Sequence, residues 1–394
     1  MEGRGSLILD TLERLQRAPF TVADVLRRAQ AGAIGAFGVH PNERPYRVAA
    51  SGGHWRLRDY ASQSKSPSLL IVAAPIKRPY IWDLAPAVSA IGRCLHEGWH
   101  VYLLEWVPRE DRAQNNGLDE HANAISDCIA MISIKDGGAR PFLLGHSLGG
   151  TLAGLFGALK PTSLRGLVLL GAPLCFVPAS NKFRDALVAL LPAHLSEAEP
   201  FPGSLLSCMA ALAAPGTFIW SRLLDAALSA TDSRALEIHA LIERWSLDEV
   251  ALPGKLVHQI LQWLFRENRF CRGTLTLCGS AISPSHLSVP TLVVVNTADE
   301  IAPLASIKPC IDIMPIPDAR IITYPGETGV GLQHLGVLVG RQAHAQVWPE
   351  IAAWLRAHSE LREISEDYGS LETTQRERTA DGHQPIGHGR DSDH

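Results

Sequence analysis

The 394-residue chain has no long uninterrupted apolar run, and a transmembrane helix needs roughly 20 consecutive apolar residues. It also has no cluster of Lys and Arg, and its formal net charge is −4. We therefore expect neither a transmembrane segment nor a nucleic-acid partner. The first residues include Asp10, Glu13, Arg14 and Arg17, so they lack the apolar region typical of a secretory signal peptide.

The sequence also lacks the cysteine and histidine spacing of a metal site. Cys271 and Cys278 have six residues between them and no matching His or Cys cluster, and His383, His388 and His394 have no partners at a ligand spacing. We expect no metal and no other cofactor. The seven cysteines are odd in number and mostly lie in apolar segments, which is typical of reduced thiols and favours a cytoplasmic location. They are Cys94, Cys128, Cys175, Cys208, Cys271, Cys278 and Cys310.

Short, apolar, β-branched segments alternate with helical patterns over much of the chain, which indicates an α/β fold with a mostly parallel, doubly wound sheet. We predict strands at 46–49, 55–60, 69–74, 100–106, 141–145, 164–170, 291–296 and 320–324. We predict helices at 83–97, 119–133, 148–159 and 343–358.

Four regions follow from these patterns. Residues 1–37 are predicted to form an amphipathic helical appendage broken at Pro19. Residues 38–174 and 288–358 form the α/β core. Residues 175–287 interrupt the alternation with helical patterns only, and we interpret them as an inserted helical cap. Residues 359–394 are polar and charged, and are predicted to be disordered.

A nucleophile elbow is predicted at Gly145-His146-Ser147-Leu148-Gly149, where an apolar strand gives way to a helical pattern. In the G-x-S-x-G pattern, the serine lies on a sharp turn that has no room for side chains at the two glycines. The start of the following helix also offers free N–H groups to a developing oxyanion. Ser147 is therefore the candidate nucleophile, and the Leu148 amide is a candidate oxyanion donor. His146 is expected to line the turn and not to titrate in catalysis.

An acid and a base follow the serine in the chain order of the α/β-hydrolase fold. Asp299 comes directly after the apolar strand 291–296, at the edge of the sheet where ligands bind, and is the candidate acid. Glu300 beside it could substitute. His334 follows the last predicted strand in a Gly-containing loop and is the candidate general base. His344 competes with it, but falls in a helical pattern.

The second oxyanion donor is expected in the loop after the strand 69–74. Pro75 has no N–H, which leaves the amide of Ile76 or that of Lys77.

Several motifs resemble those of poly(3-hydroxyalkanoate) synthases, and the resemblance runs from about Gly38 to Leu355, closest to the catalytic subunit of the two-subunit class. Residues 78–84 (RPYIWDL) are similar to the family's (N/R)-(K/P)-Y-I-L-D-L, and residues 100–106 are similar to its VYLIDW strand. Residues 145–150 are similar to its G-x-C-x-G-G, and residues 242–245 to its MEKW. Residues 299–303 are similar to its D-H-x-V-P, and residues 334–336 to its G-H-I-G. The resemblance implies an α/β-hydrolase fold with a cap, acyl chemistry on hydroxyacyl substrates, and the same triad positions.

Two positions depart from the family pattern. Ser147 stands where the family has a nucleophilic cysteine, and Gln333 stands where it has a glycine before the histidine. A thiol forms a reactive thioester, whereas a serine forms a more stable oxoester that suits hydrolysis.

Three functional hypotheses follow. The first is a serine enzyme that acts on hydroxyacyl esters or thioesters, hydrolysis favoured. The second is a polyhydroxyalkanoate synthase that uses 3-hydroxyacyl-CoA. The third is a catalytically silent scaffold on granules or partner proteins. The partners expected are an acyl ester or acyl-CoA, a partner subunit or a second copy of the chain, and a polyhydroxyalkanoate granule surface.

Overall fold

The computed structural model describes residues 2–60, 67–107, 116–192, 195–315 and 319–359, with the backbone alone for 2–12. The predicted disordered tail lies outside these residues, apart from Ser359.

A central sheet organises the core. Its strands are β1 (Arg47–Ser51), β2 (Trp55–Tyr60), β3 (Ser68–Val72), β4 (His100–Trp106), β5 (Phe142–His146), β6 (Gly166–Leu170), β9 (Thr291–Asn296) and β10 (Arg320–Tyr324), and a separate hairpin contains β7 (Leu275–Leu277) and β8 (Ser280–Ile282). Within the described residues the sheet has eight strands in the order β1-β2-β4-β3-β5-β6-β9-β10. Only β2 runs antiparallel to its neighbours. This mostly parallel sheet with helices on both faces confirms the predicted α/β-hydrolase fold.

Alternate residues of each central strand divide between two apolar cores, as the two-residue period of a strand requires. On β3, Leu70 and Val72 face one core, and Leu69 and Ile71 face the other. Both faces are covered, which explains why the central strands β3, β5, β6 and β9 are almost entirely apolar.

The helices are α1 (Glu2–Ala36), α2 (Ala90–His96), α3 (Leu118–Lys135), α4 (Ser147–Leu159), α5 (Lys182–Leu190), α6 (Gly203–Ala213), α7 (Ser221–Ser229), α8 (Ser233–Leu247), α9 (Gly254–Gln259), α10 (Lys308–Ile311), α11 (Gly336–Val339) and α12 (341–359). Three π-helical segments adjoin or lie within them, at Gly216–Trp220, Ile260–Arg266 and Ala343–Val347. Short 3₁₀ helices lie at Pro79–Trp82, Pro86–Val88, Pro161–Ser163, Pro284–His286, Leu304–Ser306 and Gln333–Leu335.

The predicted break at Pro19 is wrong, because α1 continues through it. Proline removes one N–H from the helix, but α1 packs against α6 and α8, and this packing stabilises it. Arg17 is buried and donates to the carbonyl oxygen of Glu199 at 3.0 Å. Asp24 accepts hydrogen bonds from the N–H groups of Gly203 (3.1 Å) and Ser204 (2.7 Å), at the start of α6.

The predicted helix 83–97 is largely wrong, because α2 begins only at Ala90. Pro86 starts a 3₁₀ turn, and Ala85 before it is extended, as a residue preceding proline prefers to be. The buried carboxylate of Asp83 accepts a hydrogen bond from the N–H of Arg44 at 2.5 Å, which fixes the chain in this irregular conformation.

The helical region 182–266, here called the cap, contains α5 to α9. The strands β7 and β8 were not predicted. Their turn has positive φ at Cys278 (48°) and Gly279 (78°), and the hairpin packs against α3 and α4 of the core. Within the described residues, no single helix is long and apolar enough to cross a bilayer. The helix α6 and the helical stretch 216–229 are long and apolar enough only when taken together, and a bend of 109° separates them.

Candidate active site

Ser147 lies at the junction of β5 and α4, with a backbone φ of 55°. A residue with a Cβ rarely adopts this left-handed conformation, and it costs on the order of 1–3 kcal/mol. The strained turn places Ser147 at the carboxyl end of β5 and at the first position of the helix. This is the geometry of a nucleophile elbow.

The small residues around the elbow are required by its backbone contacts. A Cβ at Gly145 would lie 2.6 Å from the carbonyl oxygen of Gly149. A Cβ at Gly149 would overlap the carbonyl oxygen of Val72 on β3. The glycines therefore let α4 start close against the end of β3, where the loop 73–78 begins.

His334 and Asp299 form a buried pair on the neighbouring loops. Nδ1 of His334 donates to Oδ2 of Asp299 at 2.7 Å, while Oδ1 of Asp299 accepts from the N–H groups of Ile301 (2.8 Å) and Ala302 (3.1 Å). Burial alone would raise the pKa of Asp299, but the nearby His334 and these N–H groups hold it below its ordinary value. The carboxylate stays ionised and binds the His334 ring at Nδ1, which leaves Nε2 as the ring nitrogen without a partner.

The competing residues have other contacts. Glu300 accepts a hydrogen bond from the hydroxyl of Thr217 in the cap. His344 is buried in α12, where its Nε2 donates to the carbonyl oxygen of Leu338 at 2.8 Å. Of the predicted acids and bases, the structure therefore brings together Asp299 and His334.

A cavity of about 560 Å³ lies between the core and the cap, and Ser147, Leu148, Ile76 and His334 all line it. Most of its remaining wall is apolar and includes the cap residues Phe218, Trp245 and Phe265. Nε2 of His334 is buried, and no described residue is hydrogen-bonded to it, Ser147 included. Such contacts are often long before substrate binds, so the arrangement suits a base awaiting the hydroxyl.

The loop 73–78 is held beside the elbow by Trp106 of β4, whose indole Nε1 donates to the carbonyl oxygen of Ala73 at 2.7 Å. Leu148 is the second residue of α4, so its N–H has no partner inside the helix. Within the described residues, no backbone carbonyl accepts from the N–H of Ile76. Within the described residues, the N–H groups of Leu148 and Ile76 therefore have no backbone acceptor, and both residues line the cavity.

Curated relatives support the resemblance that the motifs indicated. The chain is 27% identical over 340 residues to the poly(3-hydroxyalkanoate) polymerase subunit PhaC of Haloferax mediterranei, covering 84% of this chain and 67% of that protein. It is 27% identical to the PhaC subunit of Haloarcula marismortui, over 74% of this chain and 61% of that protein. It is 25% identical to the PhaC subunit of Allochromatium vinosum, over 75% of this chain and 82% of that protein. The chain thus spans about two thirds of the length of the two haloarchaeal relatives. No family model matches it.

The chain is an α/β-hydrolase enzyme similar to poly(3-hydroxyalkanoate) polymerases. Solved structures similar to this α/β-hydrolase enzyme include a monoacylglycerol lipase of Paleococcus ferrophilus, with a TM-score of 0.46 and 19% identity over 74% of this chain and 96% of that one. They also include an esterase of Thermogutta terrifontis, with a TM-score of 0.47 and 17% identity over 80% of this chain and 99% of that one.

Two motifs that are distant in the sequence of this enzyme meet at the cavity. Nε1 of Trp245 donates to the carbonyl oxygen of Arg78 at 2.8 Å, and a guanidinium nitrogen of Arg244 donates to the hydroxyl of Tyr80 at 3.0 Å. The end of α8 in the cap therefore contacts the segment that follows the loop 73–78.

Two further residues, His146 and Gln333, stabilise the loop of the enzyme that carries His334. Nε2 of His146 donates to the carbonyl oxygen of His334 at 2.8 Å, and burial lowers the pKa of His146 to about 3. His146 is thus a neutral support for this loop. Gln333, which replaces the family glycine, donates to the carbonyl oxygen of Glu327 at 2.8 Å and accepts from the N–H of Glu327 at 3.1 Å. The G-x-S-x-G motif drew attention to His146, but its pairing with a loop 188 residues away has no sequence signal.

The cap of the enzyme holds the same loop through Asp225 of α7. Its two carboxylate oxygens accept from the N–H groups of Gly329 (2.6 Å) and Gly331 (2.8 Å), both with positive φ. His239 of α8 lies 3.3 Å from the same carboxylate. Burial tends to raise the pKa of Asp225, but the contacts with His239 and the two N–H groups lower it. The carboxylate therefore joins the cap to the loop that carries His334.

A second buried carboxylate, Glu249, joins the cap to the loop 73–78. It accepts from Nζ of Lys77 at 2.6 Å and from the hydroxyl of Ser207 at 2.9 Å, and it lies 3.1 Å from Nε of Arg27 on α1. Burial lowers the pKa of Lys77, although Glu249 opposes this shift. Glu249, Asp225 and Arg27 could not be predicted from the sequence, because their roles depend on contacts between distant segments.

Proposed function

We propose that this chain is a serine-dependent acyl-transfer enzyme that acts on hydroxyacyl esters or thioesters and favours hydrolysis. The observation that carries the proposal is that the strained Ser147 and the unpaired Nε2 of His334 line one cavity, while Asp299 fixes the opposite nitrogen of the same ring.

In the proposed mechanism, Nε2 of His334 takes the hydroxyl proton of Ser147 as Oγ attacks the substrate carbonyl carbon. Asp299 keeps the other ring proton on Nδ1 and stabilises the imidazolium. The amides of Leu148 and Ile76 donate to the oxyanion, and one such donor contributes about 3 kcal/mol of transition-state stabilisation. His334 then passes its proton to the leaving group, and an acyl-serine ester remains.

Water completes the cycle. His334 removes a proton from a water molecule that attacks the acyl-serine carbonyl, and then returns a proton to Oγ of Ser147. One feature supports hydrolysis: the serine oxoester is a weaker acyl donor than the thioester of a cysteine enzyme. The mostly apolar wall of the cavity suits an acyl chain in either reaction.

Hydrolysis of a short p-nitrophenyl 3-hydroxyacyl ester tests the proposal. The purified full chain should release nitrophenolate, and Ser147→Ala should reduce kcat/KM by roughly 10³-fold or more, because the acyl-enzyme can no longer form. A fluorophosphonate probe should label the peptide that contains Ser147.

Ser163→Ala serves as the matched control, because its hydroxyl donates to the carbonyl oxygen of Lys160 on the exposed surface after α4. It should retain full activity and labelling. If folded Ser147→Ala hydrolyses the ester at the wild-type rate, Ser147 is not the nucleophile and the proposal fails.

Polymer synthesis is the second candidate, and the polymerase names of the curated relatives favour it. It predicts coenzyme A release together with polymer formation from 3-hydroxybutyryl-CoA. Ser147→Cys should then raise polymerisation at least tenfold, because the thioester is the stronger acyl donor. Ester hydrolysis without polymer, in both the wild type and Ser147→Cys, would contradict this second function.

The proposal includes the partners that the resemblance implies. These are acyl esters or acyl-CoA as substrates, a partner subunit or second copy of the chain, and a polyhydroxyalkanoate granule surface. A cytoplasmic location is part of the proposal, supported by the seven cysteines, which are all free.

A further inference from the structure

Three cysteines from distant parts of the chain meet at the base of the cap. Cys175 follows β6, Cys271 lies where the chain leaves the cap, and Cys310 lies in α10. Their sulfur atoms all lie within 4.8 Å of one another. Sγ of Cys271 and Sγ of Cys310 are 2.9 Å apart. Cys175 and Cys310 are buried, whereas Cys271 is half-buried.

The surroundings of this cluster do not favour binding of a metal ion by the three thiols. Among the described residues, no His, Asp or Glu joins the three sulfurs as a fourth ligand. Contacts with the other two thiols lower the pKa of Cys175, whereas those contacts, with burial, raise the pKa of Cys310. The raised pKa values of Cys271 and Cys310 disfavour the set of three thiolates that a metal ion would require. In addition, two thiolates on one zinc ion lie about 3.8 Å apart, farther than Cys271 and Cys310.

We propose that Cys271 and Cys310 form a reversible disulfide when a peroxide reaches the cluster. A movement of about 1 Å brings the two sulfurs to bonding distance. The site is thereby a redox modification site, separate from Ser147 and independent of the proposed reaction.

The chemistry balances with hydrogen peroxide as oxidant. Cys271 first loses its proton to water, and its thiolate attacks one peroxide oxygen, which leaves a sulfenic acid on Cys271 and releases hydroxide. The sulfur of Cys310 then attacks the Cys271 sulfur and displaces a second hydroxide. The protons from Cys271 and Cys310 convert the two hydroxides to water. In sum, two thiols and one peroxide give one disulfide and two waters.

The cross-link would close a loop of 39 residues that contains the hairpin, β9 and Asp299. It would also fix the end of the cap beside the segment that follows the acid. Asn268, three residues before Cys271, accepts from the N–H of Phe176, and Phe176 lines the cavity. Oxidation is therefore expected to restrict the cap end nearest the cavity and to stabilise the folded chain.

The test uses the full chain treated with a small excess of hydrogen peroxide, followed by alkylation of free thiols and non-reducing peptide mapping by mass spectrometry. We expect a peptide pair joined through Cys271 and Cys310 that dithiothreitol separates. We also expect an upward Tm shift of roughly 5 °C in the oxidised protein. Cys271→Ser and Cys310→Ser should lose both the pair and the shift, and Cys310→Ala provides a second variant if Cys310→Ser is unstable.

Two variants separate the roles of the remaining thiols. Cys175→Ser should keep the Cys271–Cys310 pairing, because the sulfur of Cys175 takes no part in the bond that forms. Cys278→Ser alters an exposed cysteine in the hairpin turn and should change nothing. A disulfide that joins Cys175, oxidation of Cys271 to sulfinic acid with no cross-link, or one zinc ion per purified chain that blocks cross-linking would each overturn the proposal.

Discussion

Asp299 and Glu300 are adjacent carboxylates with different surroundings. Asp299 is buried, accepts two backbone N–H groups and contacts His334, whereas Glu300 accepts from Thr217 of the cap. The two neighbouring side chains have different partners, so one position of difference decides which carboxylate contacts His334. The following segment, Ile301 and Ala302, supplies the N–H groups that keep Asp299 ionised.

Asp299→Asn should reduce kcat for ester hydrolysis roughly 10³- to 10⁴-fold with a small change in KM. The amide can donate to Nδ1 of His334 and so place the ring proton on Nε2, where it blocks proton transfer from Ser147. Steady-state kinetics with circular dichroism would measure the effect on folded protein. Glu300→Gln is the matched control and should stay within about twofold of the wild type. Retention of a tenth of the wild-type kcat by Asp299→Asn would refute the assigned role.

Two carboxylates of the cap contact loops of the core. Asp225 of α7 holds the loop that carries His334, and Glu249 after α8 holds Lys77 beside Ile76. Both loops lie at the carboxyl ends of sheet strands, where small displacements change catalytic distances. Movement of α7 would therefore shift the loop that carries His334, and movement of the segment after α8 would shift the loop 73–78.

Asp225→Ala should lower kcat about tenfold or more, because the N–H groups of Gly329 and Gly331 lose their acceptor and the His334 loop loses its fixed position. Asp225→Asn keeps one acceptor oxygen and should recover part of that loss. Separate determination of kcat and KM tests this, since a loop effect on the base appears mainly in kcat.

Asp232→Ala is the control for this series. Asp232 caps α8 with an exposed carboxylate that pairs with Arg341, so its loss should leave kcat unchanged. Equal kcat values for Asp225→Ala, Asp225→Asn and the wild type would show that the contact between Asp225 and the His334 loop has no part in catalysis.

Elements that depend on local pattern could be predicted from sequence. The strands Trp55–Tyr60, His100–Trp106, Thr291–Asn296 and Arg320–Tyr324 have the predicted bounds, because apolar runs between turn residues define them. The prediction for α1 was wrong because tertiary contacts overcame the usual helix-breaking effect of Pro19. The prediction for α2 was wrong because Pro86, together with tertiary contacts, keeps the residues before Ala90 out of the helix. The hairpin was missed because its strands have three residues each.

The candidate site divides in the same way. Ser147 could be predicted because the elbow is a contiguous motif, and Asp299 and His334 because they follow predicted strands in a known chain order. Their assignment to catalysis stays a prediction until the variants are measured. Asp225 could not be predicted, since it bonds to glycines 104 and 106 residues away and a lone Asp on a helical pattern resembles any surface carboxylate.

Stability of the whole molecule should depend on pH through buried histidines. Burial lowers the pKa of His121 to about 4, of His146 to about 3 and of His344 to about 4. In the unfolded chain these rings titrate near the ordinary value of about 6.5. Between about pH 6.5 and pH 4 the unfolded state therefore binds protons that the folded state does not, so the free energy of unfolding falls as the pH falls.

His344→Gln should flatten this dependence, because glutamine does not titrate. One ring whose pKa is lowered to about 4 accounts for on the order of 2 kcal/mol of lost stability at about pH 5. Urea unfolding at about pH 7.5 and about pH 5 would measure the difference. His96→Gln at the exposed end of α2 should keep the wild-type dependence, and an unchanged slope in His344→Gln would contradict the assignment.

The first helix borders the cavity although it precedes the core in sequence. Arg27 lines the cavity and approaches Glu249, and Asp24 caps the start of α6. A shortened chain that starts after residue 37 would open that wall to water and leave the first amides of α6 without their acceptor. Selectivity for acyl length measured on such a truncated protein would describe a wider, wetter chamber than the one the full chain encloses.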